Sequence, residues 1–197
     1  TGHRWKWEYE YLTYEDDNNI GVSYMSNLAT PIEQINNPVL AGGLFPYGTA
    51  QDAVGSEFPE KDKNYNLEAD EPLVLPSGQK VRFLITAADV IHSFWIPDLG
   101  GKKDAIPGFV NETWAIVPEG KEGTYYGQCA ELCGKNHAFM PIEAEVVSQE
   151  EFKTWLAERK EEAAAAPDLT PFADLDEALE LGEQTYAGAC AVCHGNN

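Results

Sequence analysis

A loop in the second half of the chain carries an unusual density of soft donors. Two cysteines, a histidine and a methionine fall within twelve positions: Cys129, Cys133, His137 and Met140. Thiolate, imidazole and thioether together favour copper or zinc, whereas calcium and magnesium take oxygen ligands. Methionine is not a usual ligand of zinc, but a weak methionine sulfur beside cysteine and histidine is typical of copper electron-transfer sites. The loop predicts a copper site, so the chain must adopt a fold that brings these four side chains together.

The number of cysteines indicates more than one metal ion. A single copper of the electron-transfer type takes one cysteine, and here two are separated by three residues. With Gly127 and Gly134 allowing the chain to fold tightly, both sulfurs could bridge a pair of copper ions. Two ions need two imidazoles, and His137 provides one. His92 is the natural second, because the apolar run that begins at Val81 predicts a core strand ending near it.

The first three quarters of the chain have the pattern of short strands. Aromatic and β-branched runs are separated by turn signals such as Pro-Ser-Gly and Val-Pro-Glu-Gly. Runs at 81–85 and 143–147 favour strands of a two-sheet Greek-key sandwich. From Ser148, with Glu151 three residues later, the pattern is that of a capped helix that ends before Pro167. The predicted fold is mainly β, a cupredoxin-like Greek-key sandwich or barrel with a C-terminal helical extension.

A second cysteine motif lies near the C-terminus, where Cys190, Cys193 and His194 form C-x-x-C-H. This spacing is the covalent attachment site of a c-type haem, with the histidine as proximal iron ligand. A thioredoxin-like pair would need a βαβ setting, and a zinc site would need two more ligands. The predicted parts of the chain are a copper domain (1–147) with a loop-rich insertion (36–64), a helix and proline-bounded linker (148–171), and the truncated start of a c-type cytochrome domain (172–197).

The composition is strongly acidic, with 33 acidic and 13 basic residues and a formal net charge of −20. Such a surface repels nucleic acid but attracts a basic protein, and this steering raises association rates more than affinity. No run of eighteen apolar residues is present, so no segment is predicted to span a membrane.

Several motifs, in the same order, resemble the CuA domain of subunit II of haem-copper cytochrome c oxidase. The aromatic segment 2–11 is similar to the one that opens the family's extramembrane domain. The segment 104–108 resembles the loop between the first histidine and the cysteines, and 125–129 leads into the metal loop as in the family. The resemblance covers 1–155 apart from the insertion at 36–64.

The resemblance implies a dinuclear copper centre, CuA, with a defined ligand set. Its ligands would be His92, Cys129, Cys133, His137, Met140 and the backbone carbonyl of Glu131. The Glu131 side chain would point to a magnesium ion at the interface with subunit I. The alternative is that this side chain is a solvated loop acid.

The resemblance also implies a contact surface for cytochrome c, with Trp5 as the residue that receives the electron. Trp5 and Trp7 are two residues apart, however, and this spacing alone predicts the inner face of a first strand. Acids at the family's docking positions are Glu10, Glu15, Asp16 and Asp89. Such acids are also common on solvated faces.

The implied function is electron relay from cytochrome c to haem in subunit I, which reduces oxygen and pumps protons. The family anchors this domain on the outer face of the bacterial plasma membrane through two N-terminal helices, so Thr1 is expected to be a truncation point. Oxidases whose subunit II carries a fused cytochrome c match the C-terminal motif. Four alternatives stay open: a nitrous oxide reductase-like CuA domain, a copper carrier, a structural zinc module, and two disulfides in place of metal.

Overall fold

The structure is a computed structural model that describes residues 1–13, 17–30 and 63–165, together with Leu179, Gly182 and Glu183. Two of the predicted docking acids, Glu15 and Asp16, lie outside these residues. So do the C-x-x-C-H motif and all but the last two residues of the predicted insertion at 36–64.

The described residues form mainly short strands. In chain order these are β1 (Gly2–His3), β2 (Lys6–Leu12), β3 (Asn19–Ser26), β4 (Leu73–Pro76), β5 (Lys80–Ile85), β6 (His92–Phe94), β7 (Lys103–Ala105), β8 (Asn111–Ile116), β9 (Gly123–Gln128) and β10 (Pro141–Val147). Single 3-10 turns occur at Pro97–Leu99 and His137–Phe139, and a helix, α1, spans Gln149–Ala165.

The strands pair in four groups. The sheet β1-β2-β3 is antiparallel throughout. In a second sheet, β10 lies between β4, to which it is parallel, and β9, to which it is antiparallel. The antiparallel pairs β5-β8 and β6-β7 complete the described strands. The predicted strands at 81–85 and 143–147 correspond to β5 and β10.

Alternation along the strands explains the core. In β2, Trp7 and Tyr9 are buried while Glu10 is exposed, and in β10 Ile142 and Ala144 are buried. Such two-residue periodicity directs one face of each strand inward. These side chains pack into one hydrophobic cluster that also includes Cys129 and Cys133 of the loop from Cys129 to Met140, here called the metal loop. The metal loop is therefore built onto the core of the sandwich.

The capped helix predicted from Ser148 is present as α1. The Ser148 Oγ accepts a hydrogen bond from the Glu151 N–H at 3.2 Å, and Glu151 Oε2 accepts one from the Ser148 N–H at 3.0 Å. This is a capping box. Trp155 packs against Tyr11 of β2, with ring centroids 5.0 Å apart. The chain divides into compact units at 1–163 and 164–197. Among the described residues, no helix is long and apolar enough to cross a membrane.

Candidate metal centre

The metal loop connects β9 to β10 and is fixed against β6. The Gln128 N–H donates to the Trp95 carbonyl at 3.1 Å, and the Ala130 N–H donates to the Ser93 carbonyl at 3.0 Å. This approach depends on Gly127, where a Cβ would lie 2.2 Å from the Trp95 carbonyl oxygen. Because His92 opens β6, the same contacts bring the distant histidine to the cysteine loop.

The predicted donor atoms converge. The Cys129 and Cys133 sulfurs are 3.9 Å apart, and the Cys129 sulfur lies 3.9 Å from His92 Nδ1. The Cys133 sulfur lies 3.5 Å from both His137 Nδ1 and Met140 Sδ. All the side chains predicted as ligands therefore surround the two sulfurs.

The backbone oxygen predicted as a ligand is also at this site. The Glu131 carbonyl oxygen lies 3.3 Å from the Cys129 sulfur. The side chain of Glu131 is exposed, and Leu132 beside it is 77% exposed. The loop thus presents a carbonyl to the sulfurs and the glutamate side chain to the surface.

The chemistry of this donor set fits a metal. A disulfide needs an S–S distance of about 2.05 Å, so the two sulfurs at 3.9 Å are free thiols. A metal–sulfur bond of about 2.3 Å allows one ion to reach both. Both cysteines are buried, and burial, with the nearby Cys129, raises the pKa of the Cys133 thiol to about 12. Two buried thiolates need a cation to compensate their charge.

His92 is fully buried and is oriented by the residues behind it. Its Nε2 lies 3.0 Å from Asp89 Oδ1, on the opposite edge of the ring from the sulfurs. Gly2 of β1 packs against the ring, since a Cβ at Gly2 would be 2.8 Å from His92 Cδ2. The edge of Trp7 contacts the same ring, with centroids 6.1 Å apart. The prediction of one strand running from Val81 to His92 was wrong, because β5 ends at Ile85 and a loop precedes β6.

Trp5 lies over the metal loop. Its indole N–H donates to the Cys133 carbonyl at 3.2 Å, and a Cβ at Gly134 would be 3.0 Å from its ring. The alternative in which Trp5 and Trp7 lie on the same face of one strand does not hold. Trp5 belongs to the turn between β1 and β2, whereas Trp7 is in β2 and 1% exposed.

Two of the predicted docking acids are described. Glu10 is exposed on β2. Asp89 is also exposed, with 27% of its side chain accessible, and it lies beside His92, where its other oxygen, Oδ2, accepts a hydrogen bond from the Arg4 N–H at 2.8 Å. Sequence reasoning missed this contact, although an aspartate three residues before a candidate ligand histidine was a signal for it.

Comparison with known proteins identifies the family of this chain. The family model described as cytochrome c oxidase subunit II, periplasmic domain, matches residues 52–147. The crystal structure of the periplasmic domain of subunit II (CoxB) of Bradyrhizobium japonicum is 35% identical, covers 82% of this chain and 90% of its own, and superimposes with a TM-score of 0.59. This chain belongs to the cytochrome c oxidase subunit II family. The mainly β, cupredoxin-like fold is confirmed with it.

Two further relatives are informative. The probable subunit 2 of Rickettsia bellii is 54% identical over 111 residues, which cover 56% of this chain and 40% of the relative. A second subunit II structure, in a mixed disulfide intermediate with a thioredoxin-like protein, is 34% identical, covers 79% of this chain and 84% of its own, and has a TM-score of 0.52. The chain spans between 28% and 54% of the length of the curated relatives it matches.

Proposed function

We propose that this subunit II domain holds a dinuclear copper centre and relays electrons from a c-type cytochrome to haem in subunit I. The observation that carries the proposal is a set of six converging donors, in which four further groups surround two buried sulfurs. These are His92, Cys129, the carbonyl of Glu131, Cys133, His137 and Met140. Structural zinc sites are built from cysteine and histidine, so a zinc module would leave the Met140 thioether beside the sulfurs without a ligand role.

The chain's own residues bind the metals and keep the site rigid. Cys129 and Cys133 would bridge the ions, and His92 and His137 would each bind one. Met140, which immediately precedes β10, is 1% exposed and closes the site on that side, so water is excluded there. When bound, the copper pair supplies one-electron redox chemistry with little change in geometry, because buried strands hold its ligands.

Electrons would reach the site at Trp5. The Trp5 indole donates a hydrogen bond to the carbonyl of Cys133, a proposed copper ligand. This hydrogen bond would carry the electron from the surface to the copper centre. The net charge of −20 supports docking of a basic cytochrome, with Glu10, Glu15, Asp16 and Asp89 as candidate contacts. We also propose that Cys190, Cys193 and His194 bind haem c, which would place a tethered donor at high effective concentration.

The exposed side of the loop is proposed to contact subunit I. Glu131 and Leu132 are exposed beside the bridging cysteines. The Glu131 carboxylate would bind a magnesium ion shared with that subunit. In this arrangement the domain works on the outer face of a bacterial plasma membrane, within a complex that reduces oxygen and pumps protons.

The cysteines must be reduced before metal binds. In the related structure, subunit II forms a mixed disulfide with a thioredoxin-like protein. We propose that such a partner reduces an oxidised Cys129–Cys133 pair here, since an oxidative compartment favours the disulfide.

Electron transfer to the copper-loaded domain tests the function. In a stopped-flow experiment, reduced cytochrome c should be oxidised when it is mixed with the copper-loaded wild-type domain. Cys129→Ser, which removes one bridging sulfur, should show no transfer. Equal transfer to both proteins, or none to a wild type with two coppers per chain, would refute the relay.

A further inference from the structure

Asp89 contacts two parts of the site at once. Its Oδ1 faces His92 Nε2 at 3.0 Å, and its Oδ2 accepts a hydrogen bond from the Arg4 N–H at 2.8 Å. The Arg4 guanidinium is also near, with Nε 3.5 Å from Oδ2. The carboxylate therefore joins the buried histidine to the turn that carries Trp5.

The first contact decides which nitrogen of His92 faces the sulfurs. Three donors surround the Asp89 carboxylate, because Oδ1 accepts the Val90 N–H at 2.6 Å and faces His92 Nε2, and Oδ2 accepts the Arg4 N–H. An ionised carboxylate can only accept, so His92 Nε2 donates. The neutral imidazole then has its lone pair on Nδ1, which is the atom 3.9 Å from the Cys129 sulfur.

The second contact fixes the turn above the metal loop. Arg4 is held by Asp89, and the next residue, Trp5, donates to the Cys133 carbonyl. The turn is therefore attached at one end to the residue behind His92 and at the other end to a cysteine ligand. A shift of Asp89 would move His92 and Trp5 together.

We propose that Asp89 is a positioning residue that sets the Nε2–H tautomer of His92 and holds the Arg4–Trp5 turn over the cysteine loop. This role rests on the proposed copper function, but both contacts exist in the protein without metal. It gives Asp89 a role inside the site, beyond a contact for an electron donor.

The test compares Asp89→Ala and Asp89→Asn with the wild type. Alanine removes both acceptors. Asparagine keeps one oxygen, so one of the two N–H donors, His92 Nε2 or Arg4 N, meets an NH2 group instead. The matched control is Asp98→Asn, which removes one negative charge from an exposed aspartate in the 3-10 turn Pro97–Leu99. Circular dichroism checks folding, and if alanine unfolds the domain, asparagine gives the result.

Two measurements on metal-free protein test the contacts directly. Nitrogen-15 spectra of the wild type should show His92 protonated at Nε2 alone, and in the Asp89 variants the two tautomers should mix. Exchange of the Trp5 indole N–H with solvent should be faster in the same variants and unchanged in Asp98→Asn. Wild-type tautomer and exchange in both Asp89 variants would overturn the proposal, and so would altered His92 with unaltered Trp5.

Two measurements on copper-loaded protein test the consequence. Copper should be lost to a chelator more readily in the Asp89 variants, with an affinity about 10–100-fold lower, the usual effect of losing a hydrogen bond behind a ligand histidine. The reduction potential should rise in Asp89→Asn and stay near the wild-type value in Asp98→Asn. The proposal would be overturned if Asp89→Asn and the control Asp98→Asn lost copper equally and shifted the reduction potential equally. If the wild type bound no copper, the relay function would fail, while the metal-free measurements would still decide the role of Asp89.

Discussion

Replacing Gly127 by alanine tests how β9 brings the cysteine loop to His92. The added methyl group would lie 2.2 Å from the Trp95 carbonyl oxygen and 2.8 Å from Ile96 Cγ1. Ordinary contact begins at 3.4 Å, so β9 and the Trp95 backbone must separate by about 1.2 Å. The Trp95 oxygen belongs to the backbone, and the Ile96 side chain is packed in the core at 2% exposure, so the strain cannot be relieved by a local side-chain movement.

The expected cost follows from two effects. Overpacking of a core contact costs about 1–3 kcal/mol. The separation also weakens the Gln128 N–H bond to Trp95 and the Ala130 N–H bond to Ser93, at about 0.5–1.5 kcal/mol each. The free energy of unfolding should fall by about 2–6 kcal/mol, which lowers the melting temperature by about 4–24 °C for a chain of this length.

Denaturant unfolding of the metal-free domain measures this change. The matched control is Gly101→Ala, where the nearest atom to the new methyl group is Thr113 Oγ1 at 3.7 Å, an ordinary contact. That variant should stay within about 0.5 kcal/mol of the wild type. Copper affinity should fall in Gly127→Ala alone, because the loop moves away from His92. A Gly127→Ala protein with wild-type stability and copper affinity would refute the packing argument.

Three further predictions concern other parts of the domain. Trp5→Phe removes the N–H bond to the Cys133 carbonyl, so electron transfer from cytochrome c should slow at least ~10-fold with unchanged copper content in metal analysis, if a transfer step limits the rate. The association rate with a basic cytochrome should fall steeply between low salt and 0.1 M, where the Debye length is about 10 Å, and a flat stopped-flow profile would argue against steering. Ser148→Ala should destabilise the domain by about 1 kcal/mol in thermal unfolding, and no change would exclude a role for the cap.

The fold could be predicted because the residues that alternate along the predicted strands are the ones that form the core. Alternating residues in β2 and β10 point inward where the sequence indicates, and the cap at Ser148 marks the start of α1. The ends of individual strands could not be predicted as well. The run from Val81 to His92 looks continuous by hydrophobicity, but β5 ends at Ile85 and the chain bends at 88–90 before β6 begins.

The donor set could be predicted because its chemistry is carried by residue type and spacing. The residues that hold these donors in place could not be predicted, since their roles depend on contacts between distant parts of the chain. The bond from Arg4 to Asp89 joins residues 85 positions apart, and that from Trp5 to Cys133 joins residues 128 apart. Gly2 packs against His92 only because β1 lies beside the chain that leads into β6. No periodicity in the sequence encodes such pairs.

The metal content of copper-loaded domain tests the central claim most directly. Metal analysis, combined with an absorption spectrum, should show two coppers per chain and a purple mixed-valence centre, because two sulfurs 3.9 Å apart lie between two imidazoles. Cys129→Ser should lose this spectrum. A colourless wild-type protein that holds one zinc ion, or a single copper per chain, would contradict the account.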